Sequence, residues 1–256
     1  MVYEYSLFPS AAVVTVRWRM PEPLLRIHYL GHSSFVLRFA DGVSVLTDYG
    51  QSNAYGLDGP IYDLGDLHPD VVLYSHHDDD HDRGNEFPGA TILDGAHLHE
   101  EVGIDGIAFE PIKTSEHAPG DNTSFLITFE ELKIVFAGDC QGDIEAIDEP
   151  AQRERLETLF PGRIDLLFLP IDWTHPIAAK AAAFARVVQP QTVIPMHYWS
   201  GQVKTGFLSL LSEENEPGAK RFLIEEPGGP NYEIGKADAF AAPIKVVSLE
   251  PAPYRN

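Results

Sequence analysis

The chain has 256 residues, of which 44% are hydrophobic, and its formal net charge is −21. This length suits one large domain or two small ones, and the hydrophobic content is enough for a sizeable core. A surface this acidic repels nucleic-acid phosphates and anionic membranes. We therefore expect a globular protein with no nucleic-acid partner and no membrane partner. The oligomeric state stays open.

Cysteine content and the N-terminal residues indicate the compartment. Cys140 is the only cysteine, which excludes a disulfide framework and a cysteine-rich zinc site. Residues 1–5 lack the basic region of a signal peptide, and the apolar run at 11–14 is too short for its hydrophobic part. No stretch approaches the ~20 apolar residues of a membrane span. These features favour a soluble, cytoplasmic protein.

Strand-like runs, rich in branched and aromatic side chains, dominate the first half of the chain at residues 13–18, 24–30, 34–39 and 43–46. Asp41-Gly42 between the last two runs indicates a hairpin. The short apolar run at 71–74 is typical of a strand buried on both faces. Residues 125–129 and 133–137 form a second predicted hairpin.

In the second half, predicted helices alternate with predicted strands. The predicted elements are a helix over 144–159 that breaks or restarts at Pro150, a strand over 165–169, a helix from Pro176 to about Val188, a strand over 192–195, and a strand-like tail over 221–247 that is interrupted at 228–230. Hairpins come first and β-α-β units later. This order predicts two sheets that pack face to face with helices outside.

The most informative segment, residues 74–82 (YSHHDDDHD), directly follows a predicted buried strand. Imidazoles and carboxylates this close together are typical of a cation site held on a loop at a strand end. One register pairs His77 with His81, four residues apart on a helix, as in the H-E-x-x-H motif of zinc proteases. That motif requires a glutamate where this chain has Asp78, and a helix where this chain has a strand.

The other register uses His76, Asp78, Asp80 and His81. Alternate residues of an extended segment point to the same side, so the first three share a side, and His81 begins the next turn. We favour this register, which leaves His77 facing away from the metals. Asp79 and Asp82 are then solvated, or support the ligands, and are not ligands themselves.

Three further motifs follow in order along the chain: His117, Gly138-Asp139, and His197 within Pro195-Met196-His197-Tyr198. Together with residues 76–81, they resemble the metallo-β-lactamase superfamily, which carries H-x-H-x-D-H at a strand end, then a lone histidine, an aspartate after a glycine, and a final histidine. The segments 31–35 (GHSSF), 46–48 (LTD) and 122–125 (NTSF) are similar to the branch that includes the ascorbate-6-phosphate lactonase-like proteins. The resemblance spans about residues 25–200.

This resemblance implies an α/β (α+β) fold, a four-layered αββα sandwich, over residues 25–256. Residues 1–24 are then an N-terminal extension that adds a strand. It also implies two divalent metal ions. The ligands would be His76, Asp78 and His117 for the first ion, Asp80, His81 and His197 for the second, and Asp139 as a bridge. A metal-bridging hydroxide would cleave an ester, lactone or phosphodiester, with Asp80 as the catalytic residue that orients it and passes on a proton.

Asp78 departs from the family pattern, which has a histidine at this position. A carboxylate is a harder ligand than imidazole and shifts the preference from zinc towards manganese or iron. The flavin-linked di-iron oxygen reductases of the superfamily carry a glutamate here, so a di-iron oxidoreductase is an alternative function. A non-catalytic metal-binding homologue is a third, although competent groups fill all seven ligand positions.

Several side chains near these motifs have predicted supporting roles. Asp48 resembles the family aspartate that holds a ligand histidine by its free ring N–H. Candidate substrate contacts are His32, Asp172, Trp173, His175, Tyr198 and Trp199. His97 and His99 form an H-x-H pair that we assign to the surface, because no carboxylate accompanies it in the family order.

Overall fold

The computed structural model describes residues 23–52, 54–56, 61–172, 177–213, 221–235 and 243–251. In chain order the strands are β1 (Leu25–Gly31), β2 (Ser34–Phe39), β3 (Ser44–Thr47), β4 (Val71–Tyr74), β5 (Thr91–Asp94), β6 (Val102–Ile104), β7 (Ile107–Ser115), β8 (Pro119–Phe129), β9 (Leu132–Phe136), β10 (Leu166–Pro170), β11 (Thr192–Met196), β12 (Phe222–Glu225), β13 (Asn231–Ile234) and β14 (Ile244–Val247). The α-helices are α1 (Gln141–Glu145), α2 (Pro150–Leu159), α3 (Ala178–Val188) and α4 (Gly201–Glu213).

The strands form two sheets that share one core. The first has six strands in the order β13-β1-β2-β3-β4-β5, and the second has eight in the order β12-β14-β11-β10-β9-β8-β7-β6. Phe35 of β2 packs on Phe168 of β10 with ring centroids 4.6 Å apart, and Phe39 meets Phe129 of β8 at 5.2 Å. The two sheets therefore pack face to face, as predicted, and exclude water between them.

Different outer layers cover the two sheets. Helix α3 turns its alanine-rich face, including Ala181, Ala182 and Phe184, onto the eight-stranded sheet, and α1 and α4 also contact this sheet. On the six-stranded sheet, Val36 and Val72 pack against a loop layer that includes Ile61. Among the described residues this layer has no α-helix, so loops form the fourth layer of the predicted sandwich there.

Most predicted elements are present within a few residues of their predicted bounds. Pro150 starts α2, which separates it from α1 as the sequence indicated. Strands β5, β6 and β7 and helix α4 were not predicted. The predicted strand at 13–18, and with it nearly all of the proposed extension 1–24, lies outside the described residues. No helix in the described ranges is long and apolar enough to cross a membrane.

Strand direction places the candidate ligands at one edge of the molecule. β3 and β4 are parallel in the first sheet, and β9, β10 and β11 are parallel in the second. Carboxyl ends of parallel strands meet at the same edge of a sheet. Residues 48, 75–81, 138–139, 172 and 197 follow these strands, and the edges of both sheets that carry them meet at one cavity.

Candidate metal centre

Asp48, just after β3, orients two histidines at once. Its Oδ1 accepts the backbone N–H of Ser75 at 2.8 Å, and its Oδ2 accepts the Ser75 hydroxyl and His81 Nδ1–H, each at 2.7 Å. An ionised carboxylate can only accept, so the Ser75 hydroxyl donates to it and accepts Nδ1–H of His76, 3.0 Å away. When neutral, His76 and His81 therefore both present the lone pair of Nε2.

His197 presents the same atom from the second sheet. Its Nδ1 lies 3.1 Å from the carbonyl oxygen of Asp172, which can only accept, and 3.1 Å from Gln141 Nε2, which donates to Asp139 Oδ1 at 2.6 Å. With its Nδ1 proton directed at Asp172, the ring presents the lone pair of Nε2. Its backbone N–H donates to the carbonyl of His32 at 3.2 Å, and its φ of 49° marks a tight turn directly after β11. This turn aims the ring back towards the first sheet.

The Nε2 atoms of His76, His81 and His197 are buried, and none has a hydrogen-bond partner among the described residues. His197 Nε2 does lie 2.8 Å from Asp139 Oδ1, but at an angle unsuitable for a hydrogen bond. Each unsatisfied buried polar group costs roughly 1–3 kcal/mol. Three such atoms that lie within 4 Å of the Asp139 carboxylate are what a metal centre needs, so the residues present fit the ions that the fold implies.

Distances among these groups support this assignment. Asp139 Oδ2 lies 3.5 Å from His81 Nε2 and 3.9 Å from His76 Nε2, and Asp80 Oδ2 lies 3.6 Å from His197 Nε2. These gaps are too long for hydrogen bonds. Two ligands bound at ~2.1 Å to one tetrahedral ion stand about 3.4 Å apart. The gaps therefore match pairs of ligands around a shared cation, and Asp139 lies between all three histidines.

Glu116 was missed by the sequence reasoning, which chose its neighbour His117. Oε2 of the buried Glu116 carboxylate lies 3.7 Å from His76 Nε2. One ligand atom from each of His76, Asp78 and Glu116 lies within 4.8 Å of the other two. The His117 side chain is 60% exposed, and its Nε2 lies 3.0 Å from Glu116 Oε1. His117 lines the same cavity but belongs to none of the compact ligand groups.

Asp121 fixes the turn that decides between these two neighbours. Its carboxylate accepts the backbone N–H groups of Glu116, His117 and Ala118 at 2.7, 2.9 and 2.6 Å. The turn directs Glu116 inward and leaves His117 at the rim. The sequence carries no periodic signal for this choice, because the residues lie between two paired strands.

The charge at this corner is strongly negative. Burial, and then the negative charges of Asp139 and Asp78, raise the pKa of Glu116 to about 8. A cation nearby would favour the ionised carboxylate instead. The corner therefore has the electrostatics of a cation site.

His32, in the turn between β1 and β2, supports Asp80. Burial, with a smaller contribution from His197, lowers the pKa of His32 to about 4, so the ring is neutral at pH 7. Its Nε2–H donates to Asp80 Oδ2 at 2.9 Å. His32 was expected to contact substrate or to pack in the core. The structure shows the second of these: His32 is buried behind Asp80, with its ring centroid 4.2 Å from that of His197.

Close backbone approaches make the centre rigid. A Cβ on Gly50 would lie 1.8 Å from the carbonyl oxygen of Asp80, and a Cβ on Gly138 would lie 2.5 Å from Ser75 Cβ. The Asp139 carboxylate is held by Gln141 Nε2, which donates to Oδ1 at 2.6 Å. Side chains packed and hydrogen-bonded in this way are preorganised to hold an ion.

A cavity of about 610 Å³ opens above these groups. Its wall consists of Tyr55, Gly56, Asp78, Asp80, Glu116, His117, Asp139, His197 and Trp199. Of the predicted substrate contacts, Trp199 lines this cavity, whereas Tyr198 packs against the core. Asp172 is buried, and its carboxylate accepts the backbone N–H of Trp199 at 3.3 Å. Trp173 and His175 lie outside the described residues.

Comparison with known proteins agrees with the geometry. A family model for the β-lactamase superfamily domain matches residues 26–197. A curated metal-dependent hydrolase of Methanobrevibacter smithii is 27% identical over 208 residues, which are 68% of this chain and 82% of that protein.

Solved structures show the same fold. A Thermotoga maritima protein, assigned to the metallo-β-lactamase superfamily as a Zn-dependent hydrolase, aligns with a TM-score of 0.57 and 22% identity over 88% of this chain and 98% of its own. The metallo hydrolase Igni18 of Ignicoccus hospitalis aligns with a TM-score of 0.51 and 18% identity over 75% of this chain and 91% of its own. The chain therefore belongs to the metallo-β-lactamase superfamily and has its fold, which confirms the resemblance drawn from its motifs and, at the level of the superfamily, the expectation of a metal-dependent hydrolase.

Proposed function

We propose that this chain hydrolyses an ester, lactone or phosphodiester bond of a small molecule at a centre that holds two divalent metal ions. The observation that carries the proposal is the convergence of three buried, partnerless imidazole Nε2 atoms around Asp139. Hydrolysis is also the activity named for the Methanobrevibacter relative.

The two ions would have different ligands. The first would bind His76, Asp78 and Glu116, with His117 at the rim of the site, and the second would bind Asp80, His81 and His197. Asp139 would lie between the ions. This assignment keeps six of the seven ligands predicted from the sequence, moves His117 to the rim and adds Glu116.

The ligand chemistry favours different metals at the two positions. Oxygen atoms dominate around the first ion, and hard oxygen ligands suit manganese or iron. Two imidazoles accompany the carboxylate around the second ion, a set that also suits zinc. We expect purified protein to contain manganese or iron at the first position.

When bound, the two ions would supply a water of lowered pKa and would polarise the oxygen of the bond to be cleaved. The chain's own residues would do the rest. Asp80, held by the neutral His32 ring, would accept a proton and return it to the leaving group. Trp199 offers an aromatic wall for the apolar part of a substrate.

Size and charge of the site favour a small substrate. A cavity of about 610 Å³ admits a molecule of ordinary metabolite size. The net charge of −21 opposes a polynucleotide. The single cysteine, Cys140, is buried and unpaired, which fits the reducing environment of the cytoplasm.

Metal analysis and a substrate screen test this proposal together. Wild-type protein purified without chelator should contain about two metal equivalents per chain, and His76→Ala and Asp139→Asn should each lose at least one. Substitution of the exposed His68, which lines a different cavity, should leave the metal content unchanged. A panel of esters, lactones and phosphodiesters should then reveal turnover that both centre variants lose. Wild-type protein without bound metal, or turnover that survives Asp139→Asn, would refute the proposal.

A di-iron oxidoreductase is the second candidate, and a specific observation favours it. Asp78 and Glu116 give the first ion an environment richer in carboxylates than the family pattern predicts. Iron-loaded protein would then show an absorbance band of the oxidised centre and would consume oxygen when a reductant is added. Iron-loaded protein that lacks both signals would exclude this function.

A further inference from the structure

A second cluster of metal-ligating side chains lies on the outside of the 74–82 loop. His77 turns away from the main cavity, between the centre residues His76 and Asp78. Its Nε2 lies 3.0 Å from Oδ1 of Asp94, the last residue of β5. His97 lies in the turn that follows, with Nδ1 2.8 Å from the other Asp94 oxygen. The parallel pairing of β4 with β5 brings these residues together.

The donor atoms of this cluster already have the spacing of a metal site. One ligand atom from each of His77, Asp94 and His97 lies within 4.8 Å of the other two. The two imidazoles are on opposite oxygens of one carboxylate, with ring centroids 6.4 Å apart. Asp94 is fixed in turn, because its Oδ1 also accepts the backbone N–H of Ala96 at 2.9 Å.

Asp82 prepares His77 for ligation. Its Oδ2 lies 2.8 Å from His77 Nδ1 and accepts the proton there. This leaves Nε2 to bind an ion, which is the carboxylate–histidine arrangement common behind metal ligands. The same relation holds between Asp48 and His81 in the main centre.

We propose that His77, Asp94 and His97 form a separate, solvent-facing site for a divalent transition-metal ion, with water at its remaining positions. Two imidazoles and one carboxylate suit zinc, nickel or copper(II) more than magnesium or calcium. The side chains are 44%, 28% and 82% exposed. The site is therefore open, exchanges its ion readily, and binds more weakly than the buried centre.

A metal ion bound at this site would stabilise the loop that carries two residues of the main centre. His77 is flanked in sequence by His76 and Asp78, so an ion that joins His77 to β5 restrains the backbone that carries both of these residues. We expect the ion to raise the thermal stability of protein whose main centre is already loaded, without being needed for turnover.

The test is a titration of tag-free, full-length protein, loaded at the main centre, with Zn²⁺ in one series and Cu²⁺ in another. Wild-type protein should bind one more metal equivalent than the His97→Ala or Asp94→Asn variant. If a variant still binds that equivalent, its affinity should be at least tenfold lower than that of wild type. The Asp94→Asn variant keeps a side-chain oxygen that can accept the backbone N–H of Ala96. The turn should therefore be preserved, and a loss of binding would not be due to unfolding. His99→Ala is the matched control, because His99 is exposed and belongs to the same H-x-H pair but not to the cluster.

Two outcomes would overturn the proposal. One is equal binding by wild type and His97→Ala, and the other is an equal loss in His99→Ala. The Asp139→Asn variant separates this proposal from the proposed function. It should lose metal from the main centre and keep the Cu²⁺ spectrum of the outer site, and that spectrum should disappear in the double variant with His97→Ala.

Discussion

Replacement of Asp48 by asparagine should release metal from the centre without unfolding the protein. The asparagine side chain can keep an oxygen for the Ser75 N–H, but it places an NH₂ group where the second carboxylate oxygen accepts from the Ser75 hydroxyl and from His81. His81 must then accept at Nδ1 and carry its proton on Nε2. The Ser75 hydroxyl is also free to turn and donate to His76 Nδ1, which moves the proton of that ring to Nε2 as well. Both metal-binding lone pairs are lost.

The expected magnitude follows from the type of contact. Loss of a residue that orients a metal ligand typically costs 10–100-fold in affinity, or about 1.4–2.7 kcal/mol. Because Asp48 supports two ligands, we expect the upper end of this range. The φ of 33° at Asp48 is left-handed, and asparagine tolerates this region as well as aspartate does. The backbone therefore adds little strain.

The assay is competition for metal with a chromophoric chelator, accompanied by urea unfolding of the metal-free proteins. Asp70→Asn is the matched control. Asp70 accepts the N–H and hydroxyl of Ser44 at 2.8 and 2.7 Å, just as Asp48 does with Ser75, but it contacts no ligand histidine. Metal affinity of Asp48→Asn within twofold of wild type, or an equal loss in Asp70→Asn, would refute the reasoning about the tautomers.

Three other predictions concern the stability of the protein. Gly50→Ala should lower the free energy of unfolding in urea by about 2–4 kcal/mol, because its Cβ would overlap the Asp80 carbonyl, whereas Gly103→Ala, where the structure is open, should cost under about 1 kcal/mol. In metal-free protein, Glu116 has a pKa of about 8 when folded and 4.5 when unfolded, so the native state binds more protons between these values and stability falls as pH rises through this window. Because the raised pKa of His197 contributes a slope of the same sign above pH 6.5, the urea midpoint should fall more steeply with pH in wild type than in Glu116→Gln. Chelator dialysis should lower Tm by about 5–10 °C if the ions are present at about 100 times Kd, and unchanged Tm would argue against a bound metal.

The sequence predicted the parts of the centre that depend on strand ends. His76, Asp80, Asp139 and His197 each follow a short apolar run, and parallel pairing of those runs forces their carboxyl ends to one edge. Such runs can be recognised in the sequence because strands that are buried on both faces are hydrophobic at nearly every position. The order of the motifs then identified the family without any distance.

Other features depend on tertiary contacts that no local pattern encodes. The turn held by Asp121 decides that Glu116, and not His117, faces inward, and three backbone hydrogen bonds make that choice. The outer cluster joins His77 to His97 only because β4 pairs with β5, and β5 was itself not predicted. β5 is half exposed and only four residues long, so its sequence carries little periodic signal.

Charge balance at the centre bears on the substrate. Four carboxylates, from Asp78, Asp80, Glu116 and Asp139, line the cavity together with His117 and His197. Two divalent cations at this centre would carry four positive charges, so four ionised carboxylates would neutralise them in full. With a histidine at position 78 and no glutamate at position 116, the loaded centre would be more positive by two charge units. Attraction for an anionic group depends on that excess charge. We therefore infer that this chain prefers an uncharged ester or lactone to a phosphodiester, because the loaded centre has no net positive charge with which to hold a phosphate.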